Sequence, residues 1–179
     1  YDATGTTPVA GDWEWLYFKN AQAKLDNVII KYAGKKEGNP PENPPFTRGT
    51  LYVDGGNIEI SNSKIEESQT LGIWLINSAL ATIDGVEFSN IMGDWEKAAA
   101  VYIENGSSTI SNSTFRDNNI GILVENFASP AIKNNIFERN QFPVQISTLL
   151  PTISNNTFNN NNYNGVYVVG LSLPEGQTS

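Results

Sequence analysis

The chain has 179 residues, 39% of them hydrophobic, which is enough for one domain with a substantial core and too apolar for a disordered segment. Nineteen acidic residues against 11 basic ones give a formal net charge of -8, which repels a phosphate backbone and argues against nucleic acid as a partner. Cysteine and histidine are both absent, so disulfides, thiolate metal sites and every mechanism using imidazole as base, acid or ligand are excluded. No apolar run approaches the roughly 18 residues of a membrane-spanning helix, and membrane insertion is not expected.

Residues 1–14 form a short polar lead-in. From Leu16 onward one pattern repeats. Two apolar residues spaced by two (Leu16/Phe18) are followed by a second apolar pair spaced by five (Leu25/Ile30), with Asn27 two positions into that pair. A proline-rich insertion, about Ala33 to Gly49, comes next. The pattern then returns as Leu51/Val53 with Ile60/Ile65 and Asn62, and as Ile73/Leu75 with Ile83/Phe88 and Gly85. After a second insertion, Met92 to Lys97, it continues as Val101/Ile103 with Ile110/Phe115 and Asn112. Ile122/Val124 with Ile132/Phe137 and Asn134 follow, then Val144/Ile146 with Ile153/Phe158 and Asn155. Val166 and Val168 open a seventh unit, and 171–179 reads as a tail or linker with Pro174 and Gly176.

Spacing of two places side chains on one face of a strand. The Asn/Gly column marks a tight bend, because these residues best tolerate a left-handed backbone. Each unit thus reads as three short strands, and no segment has the helical period of a leucine-rich repeat. Stacked about 4.8 Å apart, the units would pile Ile60, Ile83, Ile110, Ile132 and Ile153 into one aliphatic column. Phe88, Phe115, Phe137 and Phe158 would form an aromatic column beside it. Burying each such side chain is worth roughly 1.5–3 kcal/mol. The bend asparagines are expected to hydrogen-bond to neighbouring units.

This repeat resembles that of the pectin lyase-like superfamily of bacterial surface and secreted proteins. The resemblance implies an all-β fold, a right-handed parallel β-helix of about six to seven rungs of 21–23 residues with two inserted loops, over 15–170. It also implies a substrate cleft on the first strand of each rung. Alternating with the buried residues there are Tyr17, Tyr52, Trp74, Tyr102, Leu123, Gln145 and Tyr167. Five of these seven are aromatic, against 11% of the chain, so Tyr17, Tyr52, Trp74, Tyr102 and Tyr167 are the candidate carbohydrate-binding residues. Their rings suit the C–H faces of sugars, and a ladder of six steps would run roughly 29 Å. Exposed aromatic ladders also stabilise sheets, and the inserted loops, with Phe46 and Trp95, would be able to fold over this face.

Two positions further on, Glu104 and Glu125 occupy neighbouring rungs, where their spacing suits the short separation of a retaining glycosidase, about 5 Å. They are the candidate catalytic pair, and a pair of acids is also a start toward a Ca²⁺ site. The lyases of the superfamily need clustered calcium-binding acids with an Arg or Lys base on this face, where only Lys19 falls. The galacturonase-like hydrolases need a histidine, which is absent. The expected function is therefore a non-catalytic polysaccharide-binding or adhesion module of a secreted or cell-surface protein. Its partners would be a plant cell-wall polysaccharide or other glucan and adjoining domains of a longer chain. The alternatives are a fragment of a glycoside hydrolase or lyase, and a ligand-free stalk.

Overall fold

The structure, a computed structural model, describes residues 7–35, 49–93, 97–148 and 151–170. The proline-rich insertion, Phe46, Trp95 and the tail 171–179 fall largely or wholly outside the described residues. Seventeen strands and no helix occur among those described.

The chain coils as a parallel β-solenoid with three strand columns. The first contains the front halves of β1 (Leu16–Asp26) and β3 (Leu51–Ser61), then β5 (Ile73–Ile76), β8 (Ala99–Ile103), β11 (Ile120–Val124), β14 (Phe142–Ile146) and β17 (Val166–Val168). The second contains the rear halves of β1 and β3, then β6 (Leu80–Asp84), β9 (Thr109–Ser111), β12 (Ala131–Lys133) and β15 (Thr152–Ser154). The third contains β2 (Ile29–Lys31), β4 (Lys64–Glu66), β7 (Glu87–Ser89), β10 (Thr114–Arg116), β13 (Ile136–Glu138) and β16 (Thr157–Asn159). Five turns separate Ile30 from Phe158, the first and last members of the six-stranded third column. In the first two rungs, strands one and two run on without a break through left-handed residues at Asn20, Gly55 and Gly56. A Cβ at Gly56 would lie 2.3 Å from the Ala21 carbonyl oxygen, so only glycine allows the two rungs to approach there.

The registers place Leu25, Ile60, Ile83, Ile110, Ile132 and Ile153 opposite one another, and Phe88, Phe115, Phe137 and Phe158 likewise. Those phenylalanines stack with centroids 4.8–5.3 Å apart. Every residue of the bend column is left-handed: Asn27, Asn62, Gly85, Asn112, Asn134 and Asn155. Asn62 and Asn112 donate from Nδ2 to Asp26 and Asp84 of the preceding rung, at 3.0 and 2.6 Å.

A second polar device lies deeper. Asn118, Asn140 and Asn161 are buried at the corner between the third and first columns. Each accepts from the backbone N–H of the rung before (Ile91, Asn118 and Asn140) and donates to a core carbonyl (Phe88, Phe115 and Phe137). Asn135 and Asn156 do the same at the opposite corner for Ser113 and Asn135. Backbone groups that a tight corner would otherwise bury unpaired are thereby satisfied. The lead-in also belongs to the solenoid: Gly34 donates to the Glu14 carbonyl, Lys35 to that of Trp13, and Trp13 Nε1 to that of Lys31.

Candidate functional site

The outward positions of the first column form one continuous row in register: Tyr17, Tyr52, Trp74, Tyr102, Leu123, Gln145, Tyr167. The first four rings are in contact. Tyr17 and Tyr52 stack at 5.1 Å and 16°, Trp74 and Tyr102 at 5.8 Å and 9°. Between them the parallel order breaks: Tyr52 and Trp74 are 5.2 Å apart and tilted by 45°. A stack of parallel rings hides its faces, whereas a tilt of that size parts the two facing ring surfaces.

Accessibility falls steeply along the row. Tyr17 is 48% exposed, Tyr52 and Trp74 are half-buried, and Tyr102 is 2% exposed. Tyr102, one of the candidate binding residues, is therefore buried. The row opens again at Tyr167, which is 40% exposed. The reason is a small second core on the outside of the sheet, formed by Leu71, Ala99, Tyr102, Ile120 and Leu123 with Trp74 and Phe142 against it. Strict alternation fails at its edge. Ala100 and Val101, consecutive in β8, both pack inside the solenoid, so Ala99 returns to the outer face. A second outward column results, three residues ahead of the first: Leu71, Ala99, Ile120, Phe142. The sequence does signal it, as apolar residues recurring three before Trp74, Tyr102, Leu123 and Gln145.

Lys97 lies over the Tyr102 ring, 5.4 Å from its centroid. Its Nζ reaches Glu125 Oε2 at 2.5 Å, and Tyr102 Oη donates to the same oxygen at 2.5 Å. Burial, and then the Glu125 carboxylate, push the Tyr102 phenol far above its ordinary value, so it stays protonated. Glu104 sits on the adjoining rung and accepts a 3.4 Å bond from Asn126. The two candidate acids are thus neighbours, but Glu125 is held by a lysine and a phenol. Among the described residues no group of three or more His, Cys, Asp or Glu is placed to hold a metal ion. No helix among them is long and apolar enough to cross a membrane.

Near the other end of the face Phe142, Tyr163 and Tyr167 form a second ring cluster. Phe142 stacks on Tyr163 at 4.7 Å and 6°, and Tyr167 is tilted against both by 36° and 38°.

Together these features define a parallel β-solenoid whose first sheet carries aromatic side chains outward. The model of the right-handed β-helix region matches residues 49–177, most of the chain, and the protein belongs to that family. The pectin lyase-like resemblance is consistent with this membership. No curated protein and no solved structure matches the chain.

Proposed function

We propose that this β-helix is a polysaccharide-binding module of a secreted or cell-surface protein, gripping a glycan through Tyr17, Tyr52 and Trp74. The observation that carries this reading is the 45° break between Tyr52 and Trp74, beside the exposed Tyr17. It presents ring surface at a spacing close to the rung repeat, about 4.8 Å, which is comparable to one sugar ring. Asp54 and Glu104 rim the ladder, while Glu125 is neutralised by Lys97, and this acidic rim favours a neutral glycan such as a glucan over a polyuronate. Tyr102 supports the platform from beneath and is not itself a contact.

Depletion of the protein from solution by insoluble cellulose, xylan and mannan tests this. Tyr52→Ala and Trp74→Ala should each weaken adsorption to the preferred polymer at least tenfold, with Tyr102→Phe unchanged. Equal adsorption by all four proteins would overturn it.

A further inference from the structure

We infer that the corner between the third and first columns carries a second, separate site for a neutral oligosaccharide, built from Tyr163, Tyr167 and the amides of Asn119, Gln141 and Asn162. A cavity of about 320 Å³ opens at this corner, lined by those three amides together with Asp117, Arg139 and Met92 among others. That size lies at the lower end of small-ligand pockets.

What distinguishes the cavity is the contrast between two asparagine columns one residue apart. Asn118, Asn140 and Asn161 are buried and spend both ends of their amides on the backbone and on each other. Asn119, Gln141 and Asn162 follow them in sequence, and their backbone amides pair rung to rung with the carbonyls of Ile91, Asn118 and Asn140. Among the described residues their side-chain amides have no hydrogen-bond partner, and they face the cavity. A primary amide offers two donors and an acceptor, the complement of a sugar hydroxyl pair. Stacking places one such group every rung, about 4.8 Å apart.

The aromatic half of the site lies outside the cavity lining and adjoins the polar half along the chain. Gln141 precedes Phe142, and Asn162 precedes Tyr163. Phe142 backs the stacked Tyr163, which is 50% exposed, and Tyr167 is turned against the pair. Neither tyrosine hydroxyl has a hydrogen-bond partner among the described residues. The charge inside the cavity is cancelled: Arg139 Nε and Nη2 hold Asp117 in a two-point contact at 2.8 Å each. An uncharged, hydroxyl-rich ligand with an apolar ring face fits that combination, and a polyanion does not. Leu123 is 1% exposed and lies between this site and the Tyr17–Trp74 ladder, so the two are discrete.

Titrating the ¹⁵N-labelled chain with cellohexaose, xylohexaose and mannohexaose, with a galacturonate hexamer as the charged comparison, tests this inference. The expected result is saturable shifts at Asn119, Gln141, Asn162 and Tyr163 with at least one neutral hexamer and none with the galacturonate. The double variant Gln141→Ala/Tyr163→Ala, altered only at exposed side chains, should weaken that set at least tenfold and leave shifts at Trp74 in place. Shifts confined to Tyr17, Tyr52 and Trp74 would overturn this second site and leave the ladder standing. Shifts confined to the Gln141–Tyr163 set would do the reverse. Stronger response to the galacturonate than to every neutral hexamer would also overturn it.

Discussion

Tyr17 donates a 2.9 Å hydrogen bond to Asp54, one rung on and two positions along, while Asn77 of the rung beyond reaches the other oxygen of the same carboxylate at 2.7 Å. Three rungs are tied together at the most open end of the ladder. The parallel stacking of Tyr17 on Tyr52 is maintained with the help of this contact.

If the contact holds Tyr17 for a ligand, Asp54→Ala should weaken glycan adsorption by about threefold to tenfold, as expected for one solvated hydrogen bond, with the melting temperature nearly unchanged. The Asn77 bond first, and the Tyr17 bond next, hold the Asp54 carboxyl below its ordinary value. Its ionised form therefore persists as pH falls to about 4, the usual carboxylate range. Adsorption by the unmodified chain should stay flat from pH 7 to about pH 4 and decline below it. A decline centred near pH 6 would argue against this role for Asp54.

Tyr102 separates structure from binding. Its ring is buried in the outer core and its hydroxyl shares the Glu125 carboxylate with Lys97. Tyr102→Ala should cost about 3–5 kcal/mol, as for other buried aromatic truncations. Tyr102→Phe keeps the ring and leaves Lys97 on Glu125, so its cost should be about 1–3 kcal/mol. Urea unfolding reads both. A Tyr102→Ala protein as stable as the parent would show that the outer core contributes little.

The seven-membered row from Tyr17 to Tyr167 follows from spacing, because the pleat imposes a side-chain period of two and parallel stacking carries each position onto the next rung. Direction is thereby legible, but accessibility is not. Tyr102 points outward as alternation requires, yet Leu71, Ala99 and Ile120 crowd it, and Ala99 reaches the outer face only because Ala100 and Val101 both turn inward. A break in alternation depends on how the corner closes, which is a tertiary property. Of the asparagine pairs 134–135 and 155–156 only the first member is legible as a bend residue, and the pair 118–119 carries no such mark. That one of each pair turns inward to serve the backbone depends on burial, which composition does not report.

Asn140, equally with Asn161, is the most heavily used of the inner asparagines. Its Oδ1 accepts from both the backbone N–H and Nδ2 of Asn118, and its Nδ2 donates to the Phe115 carbonyl and to Asn161. Asn140→Ala would leave the Asn118 N–H and the Phe115 carbonyl buried without these partners, at about 1–3 kcal/mol for each. Hydrogen exchange should show the Asn118 amide losing protection while amides in β3 keep theirs. Equal loss across the solenoid would mean that the asparagine columns act globally and not corner by corner.

Acid stability follows from the carboxylates that bridge rungs. Asp26 accepts from Ser61, Asn62 and Asn27, and Asp84 from Ser111 and Asn112; these bonds hold both carboxyls below their ordinary value, with burial opposing only in part. Asp117 is lowered chiefly by its bond from Arg139, and Glu87 chiefly by that from Lys64. A group whose folded-state value is depressed binds protons more readily when unfolded. Its contribution is complete above the unfolded value, about 4, and is lost as pH falls through the folded one. Lys31 and Arg139 are shifted upward, so their contribution is complete at neutral pH and adds no slope on the acid side. The urea midpoint should therefore be level from pH 7 to about pH 5 and fall steadily below about pH 4. Asp26→Asn with Asp84→Asn keeps one acceptor oxygen at each position but removes two titrating groups, and should make that fall shallower. An unchanged acid slope in the double variant would assign the loss to other carboxylates.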